Sequence, residues 1–134
     1  MSKYQMNWPQ SLPPRDEGGY IRTATGQKFW PLNPVPADVN VQDIAFALGN
    51  TARWGGHCKF YSVAQHAVMC ASLAISHGNL GIDPYRMLHH DDSEGYMCDL
   101  PRPIKRGIPD FKRVEDNLQM VIGLALGFSW PMTP

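Results

Sequence analysis

This chain lacks long apolar runs, paired cysteine spacings and an excess of either charge. No stretch approaches the roughly 18 consecutive apolar residues of a membrane span, and the N-terminal MSKYQMNWPQ has no apolar signal core, so neither membrane insertion nor secretion is indicated. The three cysteines lie far apart without CxxC spacing. We therefore expect no disulfide framework, no cysteine zinc site and a location in the reducing cytoplasm.

The charge balance excludes a further class of protein. Twelve Lys and Arg residues oppose twelve Asp and Glu residues, which gives a formal net charge of zero. Proteins that bind long nucleic acid normally need a basic face, so we expect no such partner, whereas a small anion in a local basic pocket stays compatible. A length of 134 residues is enough for one domain with a real core.

Prolines are concentrated in the first part of the chain. The first forty residues contain six of the twelve prolines, at positions 9, 13, 14, 31, 34 and 36, and this excludes long helices there. The segment YIRTATGQKFW (20–30) places aromatic and β-branched residues around Thr25 and Gly26, a pattern that predicts a small hairpin. We expect residues 1–39 to form a proline-rich, partly extended arm that packs on a domain formed by residues 40–134.

From residue 40 onward the apolar residues recur at helical spacing, and the fold class that this predicts is all-α. Four helices have capping signals at their start: Asn40, the capping box from Ser62 to Gln65, Asp83 followed by Pro84, and Asp110. Glycines at positions 49, 78 and 127 supply stops for the first, second and last of these helices.

The last predicted helix has an apolar stripe that allows two interpretations. Its members are Val114, Leu118, Val121, Ile122 and Ala125. The stripe is either part of the core or an interface for self-association, as a symmetric dimer or a closed ring. A homo-oligomer is therefore one expectation.

Histidines and carboxylates are concentrated in LHHDDSEGYMCDLPRPIK (88–105). Neutral imidazole together with carboxylate suits a divalent metal ion. The adjacent side chains of His90 and Asp91 diverge by about 100° in a regular helix, so both bind one ion only where the helix ends or bends, as Gly95 allows. The alternative is a solvated acidic helix end. His66, on the apolar helix after the capping box, is either a core residue or a further ligand.

Two segments together resemble the HD-domain metal-dependent phosphohydrolases. They are RWGGHCKFYSVAQHAV (53–68) and LHHDDSEGYMCDLPRPIK (88–105), and the resemblance extends over roughly residues 20–130, including the lead-in FWPLNPVPADVNVQDIA. It is greatest to the short phage and bacterial members related to 5′-deoxynucleotidases and phage dATP triphosphohydrolases. The resemblance implies an HD-domain helical bundle that hydrolyses a phosphate ester or anhydride in a (deoxy)nucleotide, mono- or triphosphate, so the expected partner is a small nucleotide.

The same resemblance implies one divalent ion, of Mn, Co, Fe, Ni or Zn, with Mg also admitted. By the match to the family's motifs its ligands are His66, His90 and Asp91. His89 and Asp92 fall outside the motif, and we expect them at the surface or behind the ligands.

Further site residues follow from the resemblance. Glu94 matches the carboxylate that handles the proton on water or leaving group, a role that suits a glutamate near an ion. Asp99 matches a second acidic position near the substrate, and His57 a further pocket histidine. Arg53 and Lys105 match basic positions that hold phosphate oxygens; the alternative for each is an ordinary surface charge.

The sequence departs from the family pattern at one ligand. The family's fourth ligand is an aspartate on a helix beyond the region that corresponds to residues 111–128, and this sequence ends at SWPMTP before that helix. Asp110 and Asp116 belong to the preceding helix and do not match. Three interpretations account for the missing fourth ligand. The site works with three protein ligands plus water, another chain contributes the ligand, or the protein is a shortened relative. The alternative function is a non-catalytic HD module that binds a nucleotide or a protein partner.

Overall fold

The computed structural model describes residue 15 and residues 18–78 and 81–131. In this part the chain is mainly α-helical, which confirms the predicted class at that level. The helices are α1 Val41–Gly49, α2 Val63–Ser76, α3 Pro84–Leu88, α4 Glu94–Met97, α5 Arg102–Gly107 and α6 Pro109–Leu126. Two strands, β1 Ile21–Arg22 and β2 Lys28–Phe29, pair antiparallel ahead of α1. Sixteen of the 39 residues in the predicted N-terminal arm, including the prolines at 9, 13 and 14, lie outside the described residues.

Three of the predicted helix starts are confirmed by their caps. The side chains of Asn40, Ser62 and Asp83 each accept a hydrogen bond from a backbone N–H in the first turn of the helix that follows. At Ser62 the box is complete, because the Gln65 side chain also accepts from the Ser62 backbone N–H at 2.8 Å. These bonds satisfy N–H groups that have no partner within the helix.

The start of α6 differs from the prediction. The helix begins at Pro109, two residues before the start that a cap at Asp110 predicts, so Asp110 is an acidic residue of the first turn and does not cap the helix. Proline suits the first helical position because its missing N–H would have no partner there. The predicted stop is confirmed: Gly127 has a left-handed backbone with φ of 87° and donates its N–H to the Gly123 carbonyl.

The predicted hairpin is present, and it contributes to the core. It pairs Ile21 with Phe29, and the turn contains Gly26 at φ of 86°. The Phe29 side chain is fully buried and stacks on Tyr96, with ring centroids 3.7 Å apart. The Tyr96 hydroxyl accepts from the backbone N–H of Asn40 at 3.1 Å. The hairpin and the start of α1 therefore both contact α4, the helix that follows the candidate ligands His90 and Asp91.

The core lies between α1, α2, α4 and α6. Its buried members are Phe29, Ile44, Leu48, Val63, Tyr96, Leu118 and Ile122. Four of the five residues in the apolar stripe of α6 are buried within this one chain, and only Ala125 is exposed. The stripe is thus part of the core, as the first interpretation has it, and the homo-oligomer stays a prediction. Among the described residues, none of the helices combines the length and hydropathy needed to cross a membrane.

Candidate metal centre in a charged cavity

Most of the predicted site residues face one cavity of about 640 Å³ between α2, α4 and α5. Those that line it are Arg53, His66, His90, Asp91, Glu94, Asp99 and Lys105, and the structure adds Trp54, Arg102 and the segment Leu100–Pro103. The cavity lining therefore combines imidazole and carboxylate groups with several cations.

His90 and Asp91 lie in the turn between α3 and α4, as two adjacent ligands require. This turn is fastened to α6 by the Gln119 side chain, which is 1% exposed. Its amide donates to the His89 carbonyl at 2.6 Å and accepts from the Ser93 N–H at 2.9 Å. The two bonds bracket the candidate ligands, so the position of the turn depends on one amide in the core.

The expectation of surface or supporting roles for His89 and Asp92 is corrected in part. Both are buried, and Nδ1 of His89 lies 2.6 Å from the Asp92 carboxylate. The His89 ring also stacks on Phe128, at a centroid distance of 5.5 Å, and meets Tyr85 edge-on. Burial raises the pKa of Asp92, and the hydrogen bond with His89 opposes that shift. The pair stabilises the turn from inside, away from the cavity.

The hydrogen bonds of His90 determine which ring nitrogen is available. Nδ1 lies 2.6 Å from the Met87 carbonyl, which can only accept, so Nδ1 carries a proton. Nε2 lies 3.0 Å from Oδ2 of Asp91. In a neutral ring these are two acceptors in contact, and the arrangement requires a proton or a cation between them. Burial is the largest single effect and lowers the pKa of His90, but the hydrogen bond and the charge of Asp91, together with the Met87 hydrogen bond, outweigh it and the net shift is upward.

His66 joins the same cluster from α2 and also contacts Arg53. Its Nε2 lies 3.7 Å from Oδ2 of Asp91, and its Nδ1 accepts from Nη1 of Arg53 at 2.9 Å. Burial and the Arg53 charge lower the pKa of His66. A neutral ring that accepts at Nδ1 carries its proton on Nε2. For His66 to hold an ion through Nε2, its ring proton would have to be on Nδ1, where it is incompatible with the hydrogen bond donated by Arg53.

The tightest group of metal-binding atoms contains a cysteine. Among the described residues, the ligand atoms of His66, Cys70 and His90 all lie within 4.8 Å of one another. This cluster is compact enough to hold one metal ion, and it brings Cys70 together with the predicted ligands His66 and His90. The expectation of no cysteine zinc site considered cysteine spacing alone and did not take this grouping into account. The signal was present as the four-residue spacing from His66, which puts both side chains on one helix face. Burial, followed by the Asp91 charge, raises the pKa of the Cys70 thiol.

Glu94 is the buried acid of the cavity and begins α4. It is 8% exposed, and burial together with the charges of Asp91 and Asp99 raises its pKa to about 9. A carboxyl group in this state is protonated near neutral pH and can donate a proton. The predicted neighbour Asp99 lines the same cavity from the segment that joins α4 to α5.

The two predicted phosphate-binding cations differ in their surroundings. Lys105 is paired with Glu115, at 2.9 Å from Oε2 and 3.1 Å from Oε1. Its charge is thus partly neutralised within the chain. Arg102, on the same helix, lines the cavity as well and was missed by sequence reasoning. Its signal was the RPIK segment, in which an arginine precedes the predicted lysine by three residues.

The loop between α1 and α2 contains Arg53, Trp54 and His57. Its two ends are held together by an antiparallel bridge between Ala52 and Ser62. The backbone of Trp54 is left-handed, with φ of 55°, and its indole is 56% exposed at the cavity. His57 is exposed and is not among the described residues that line the cavity. The structure therefore separates His57 from the other predicted site residues.

Replacement of Gln119 by methionine tests the link between α6 and the turn. Gln119→Met removes both hydrogen bonds and leaves a buried carbonyl and N–H unsatisfied, so we expect about 2 kcal/mol of destabilisation. Metal affinity should fall by roughly 10- to 100-fold, because the ligands lose their fixed orientation. Urea denaturation and calorimetric metal titration measure the two effects. Leu48→Ala, a core change away from the turn, is the control, and equal loss of affinity there would remove the positioning role.

Comparisons with known proteins give two curated relatives. The chain is 39% identical over 104 residues to the uncharacterized protein YfdR of Escherichia coli, an alignment that covers 77% of this chain and 56% of YfdR. It is 32% identical over 113 residues to the uncharacterized protein RCAP_rcc00048 of Rhodobacter capsulatus, covering 79% of this chain and 57% of that protein. The chain therefore spans little more than half the length of either relative. No protein-family model matches the chain.

Proposed function

We propose that the chain is a metal-dependent phosphohydrolase of the HD type that cleaves a phosphate ester or anhydride in a (deoxy)nucleotide. The resemblance of the two histidine-containing segments motivates the proposal. The clustering of their histidines and carboxylates around one cavity supports it, because these residues come from separate helices and turns.

The contact between Nε2 of His90 and Oδ2 of Asp91 carries the proposal. The Met87 carbonyl holds the ring proton on Nδ1, so the Nε2 lone pair faces a carboxylate at 3.0 Å. Tetrahedral ligand atoms about 2.0–2.1 Å from an ion lie about 3.4 Å apart. The distances of 3.0 and 3.7 Å from Asp91 to the two histidines bracket this value. A divalent ion thus fits the donor set.

The other cavity residues suit phosphate hydrolysis. A divalent ion bound there supplies Lewis-acid activation of water and of the phosphoryl group. Glu94 holds a proton at the edge of the cluster and can transfer it to the leaving oxygen. Arg53 and Arg102 can neutralise charge on the phosphate. Trp54 offers a flat apolar wall near the same opening.

The size of the cavity favours a small substrate. Sites for small ligands typically enclose about 300–1,000 Å³, and this one encloses about 640 Å³. A mononucleotide fits such a volume, whereas a polymer would need an open groove. The formal net charge of zero agrees with a small anion held by local cations.

Hydrolysis assays with a matched inactive variant test the function. We expect protein loaded with Mn²⁺ or Co²⁺ to hydrolyse one or more deoxynucleoside mono- or triphosphates, with products separated by chromatography to identify the bond. Glu94→Gln should reduce turnover by about 100-fold or more, the usual scale for a lost general acid or base. Both proteins are purified identically, and their metal contents are compared by elemental analysis.

Two results would contradict this function. Equal turnover in wild type and Glu94→Gln would contradict proton transfer by Glu94. The activity would then come from a contaminating phosphatase, or Asp99 would transfer the proton. Metal and nucleotide binding without turnover across the panel would replace the enzyme by a nucleotide-binding module.

The same variant should stabilise the metal-free protein. The folded-state pKa of Glu94 is about 9, against 4.5 in an unperturbed glutamate. The stability associated with protonated Glu94 is fully present below pH 4.5 and is lost as pH rises toward 9. Glu94→Gln removes this loss, so at pH 7 we expect a gain of about 2 kcal/mol. Urea denaturation with chelator at several pH values measures it, and a gain that does not grow with pH would contradict the buried acid.

Replacement of Arg53 separates its two contacts. Arg53→Ala should raise the substrate KM about 10- to 100-fold, the scale of a hydrogen bond to a charged group, with less effect on kcat. Metal affinity should be unchanged or higher, because the competing donor to His66 is gone. Arg113→Ala, an exposed arginine paired with Asp110, is the control. A fall in kcat with unchanged KM would contradict a phosphate-binding role.

A further inference from the structure

We propose that the Cys70 thiolate is a ligand of the metal ion, and that the centre therefore selects thiophilic ions such as Zn²⁺ or Co²⁺ over Mg²⁺. The inference rests on the metal centre of the proposed function and adds a ligand to it. The ligand set becomes His66, Cys70, His90 and Asp91, so the described part of the chain supplies four donors.

The geometry of α2 supports this ligand. Cys70 follows His66 by four residues, so the two side chains occupy one face of the helix. Sγ lies 3.5 Å from Nε2 and 3.7 Å from Nδ1 of His66. In a tetrahedral site with metal–nitrogen and metal–sulfur distances of about 2.0 and 2.3 Å, the nitrogen and sulfur lie about 3.5 Å apart. The 3.5 Å separation from Nε2 equals one edge of such a site, whereas the distance to Nδ1 would then be about 5 Å. Binding of one ion by both residues therefore requires a rotation of the His66 ring or of the Cys70 side chain.

The position of Cys70 differs from that of a cysteine that only fills the core. The α2 residues buried in the core are Val63, Ala67 and Ala74, whereas Cys70 is half-buried and lies beside the histidine cluster. Its sulfur contacts the His66 ring. The ligand atoms of His66, Cys70 and His90 lie close enough together for one ion. Cys58 and Cys98 are both exposed, and neither belongs to that group.

A thiolate changes which ion the centre prefers. Mg²⁺ takes oxygen ligands and retains its waters, whereas sulfur and imidazole together favour Zn²⁺ and neighbouring ions. With neutral histidines, the charges of one thiolate and one carboxylate balance a divalent ion. Without the thiolate the centre would keep one excess positive charge in a half-buried position.

Cobalt spectroscopy on the full chain tests the assignment directly. Wild type titrated with Co²⁺ should show a near-ultraviolet thiolate-to-cobalt charge-transfer band together with visible ligand-field bands. Cys70→Ser should lose the charge-transfer band and bind Co²⁺ about 10- to 100-fold more weakly, on the scale of a disrupted metal site. Cys58→Ser and Cys98→Ser are the controls and should retain the band. Competition should give tighter binding of Zn²⁺ than of Mg²⁺ in wild type, with a smaller ratio in Cys70→Ser.

X-ray absorption of zinc-loaded wild type needs no variant and covers the case in which Cys70→Ser does not fold. It should show one sulfur neighbour at about 2.3 Å. A band that survives Cys70→Ser, ligand-field bands without a charge-transfer band, or a zinc spectrum without sulfur would each overturn the assignment while leaving the hydrolase untouched. Failure to bind any ion would overturn both. Sulfur ligation without nucleotide hydrolysis would support Cys70 and reject the proposed function alone.

Discussion

The side-chain amide of Gln119 holds the turn on which the candidate site depends. Adjacent His90 and Asp91 can face one point only where regular helix is interrupted, and an interrupted backbone inside a protein leaves polar groups without helical partners. Gln119 satisfies one carbonyl and one N–H on either side of the pair. Gln119 belongs to the buried face of α6, next to the core residue Leu118. Because the packing of α6 fixes the Gln119 amide, it also determines the position of the candidate ligands that the amide holds.

Two of the cations that line the cavity already have hydrogen-bond partners within the chain. Arg53 contacts His66, and Lys105 contacts Glu115, so two cations assigned to phosphate binding have partners within the chain. The Arg53 contact and a metal bond through Nε2 of His66 require opposite tautomers of the same ring. An ion held through Nε2 would therefore free the Arg53 guanidinium at the cavity wall. Under the proposed function, metal binding and phosphate binding would be coupled through this one histidine.

Local signals in the sequence predicted much of the fold, because caps depend on a few neighbouring residues. Asn40, Ser62 and Asp83 each begin a helix as predicted, and Gly127 ends one. The short helices α4 and α5 were not predicted, since four- and six-residue helices depend on packing more than on propensity. The grouping of the candidate metal ligands was predicted from the family resemblance. Cys70 was overlooked because the spacing between cysteines was considered without the histidine one turn earlier.

Three carboxyl groups close together in a 134-residue chain carry a cost that an ion would offset. Asp91 and Asp92 each have a histidine partner, while Glu94 is buried beside other acids and holds its proton. Burial of such groups in a small domain opposes folding, since the hydrophobic core supplies only a modest surplus. A ligand that binds only the folded state adds its binding free energy to stability. A divalent ion bound to this cluster would therefore help to hold the turn between α3 and α4 in place, in addition to Gln119.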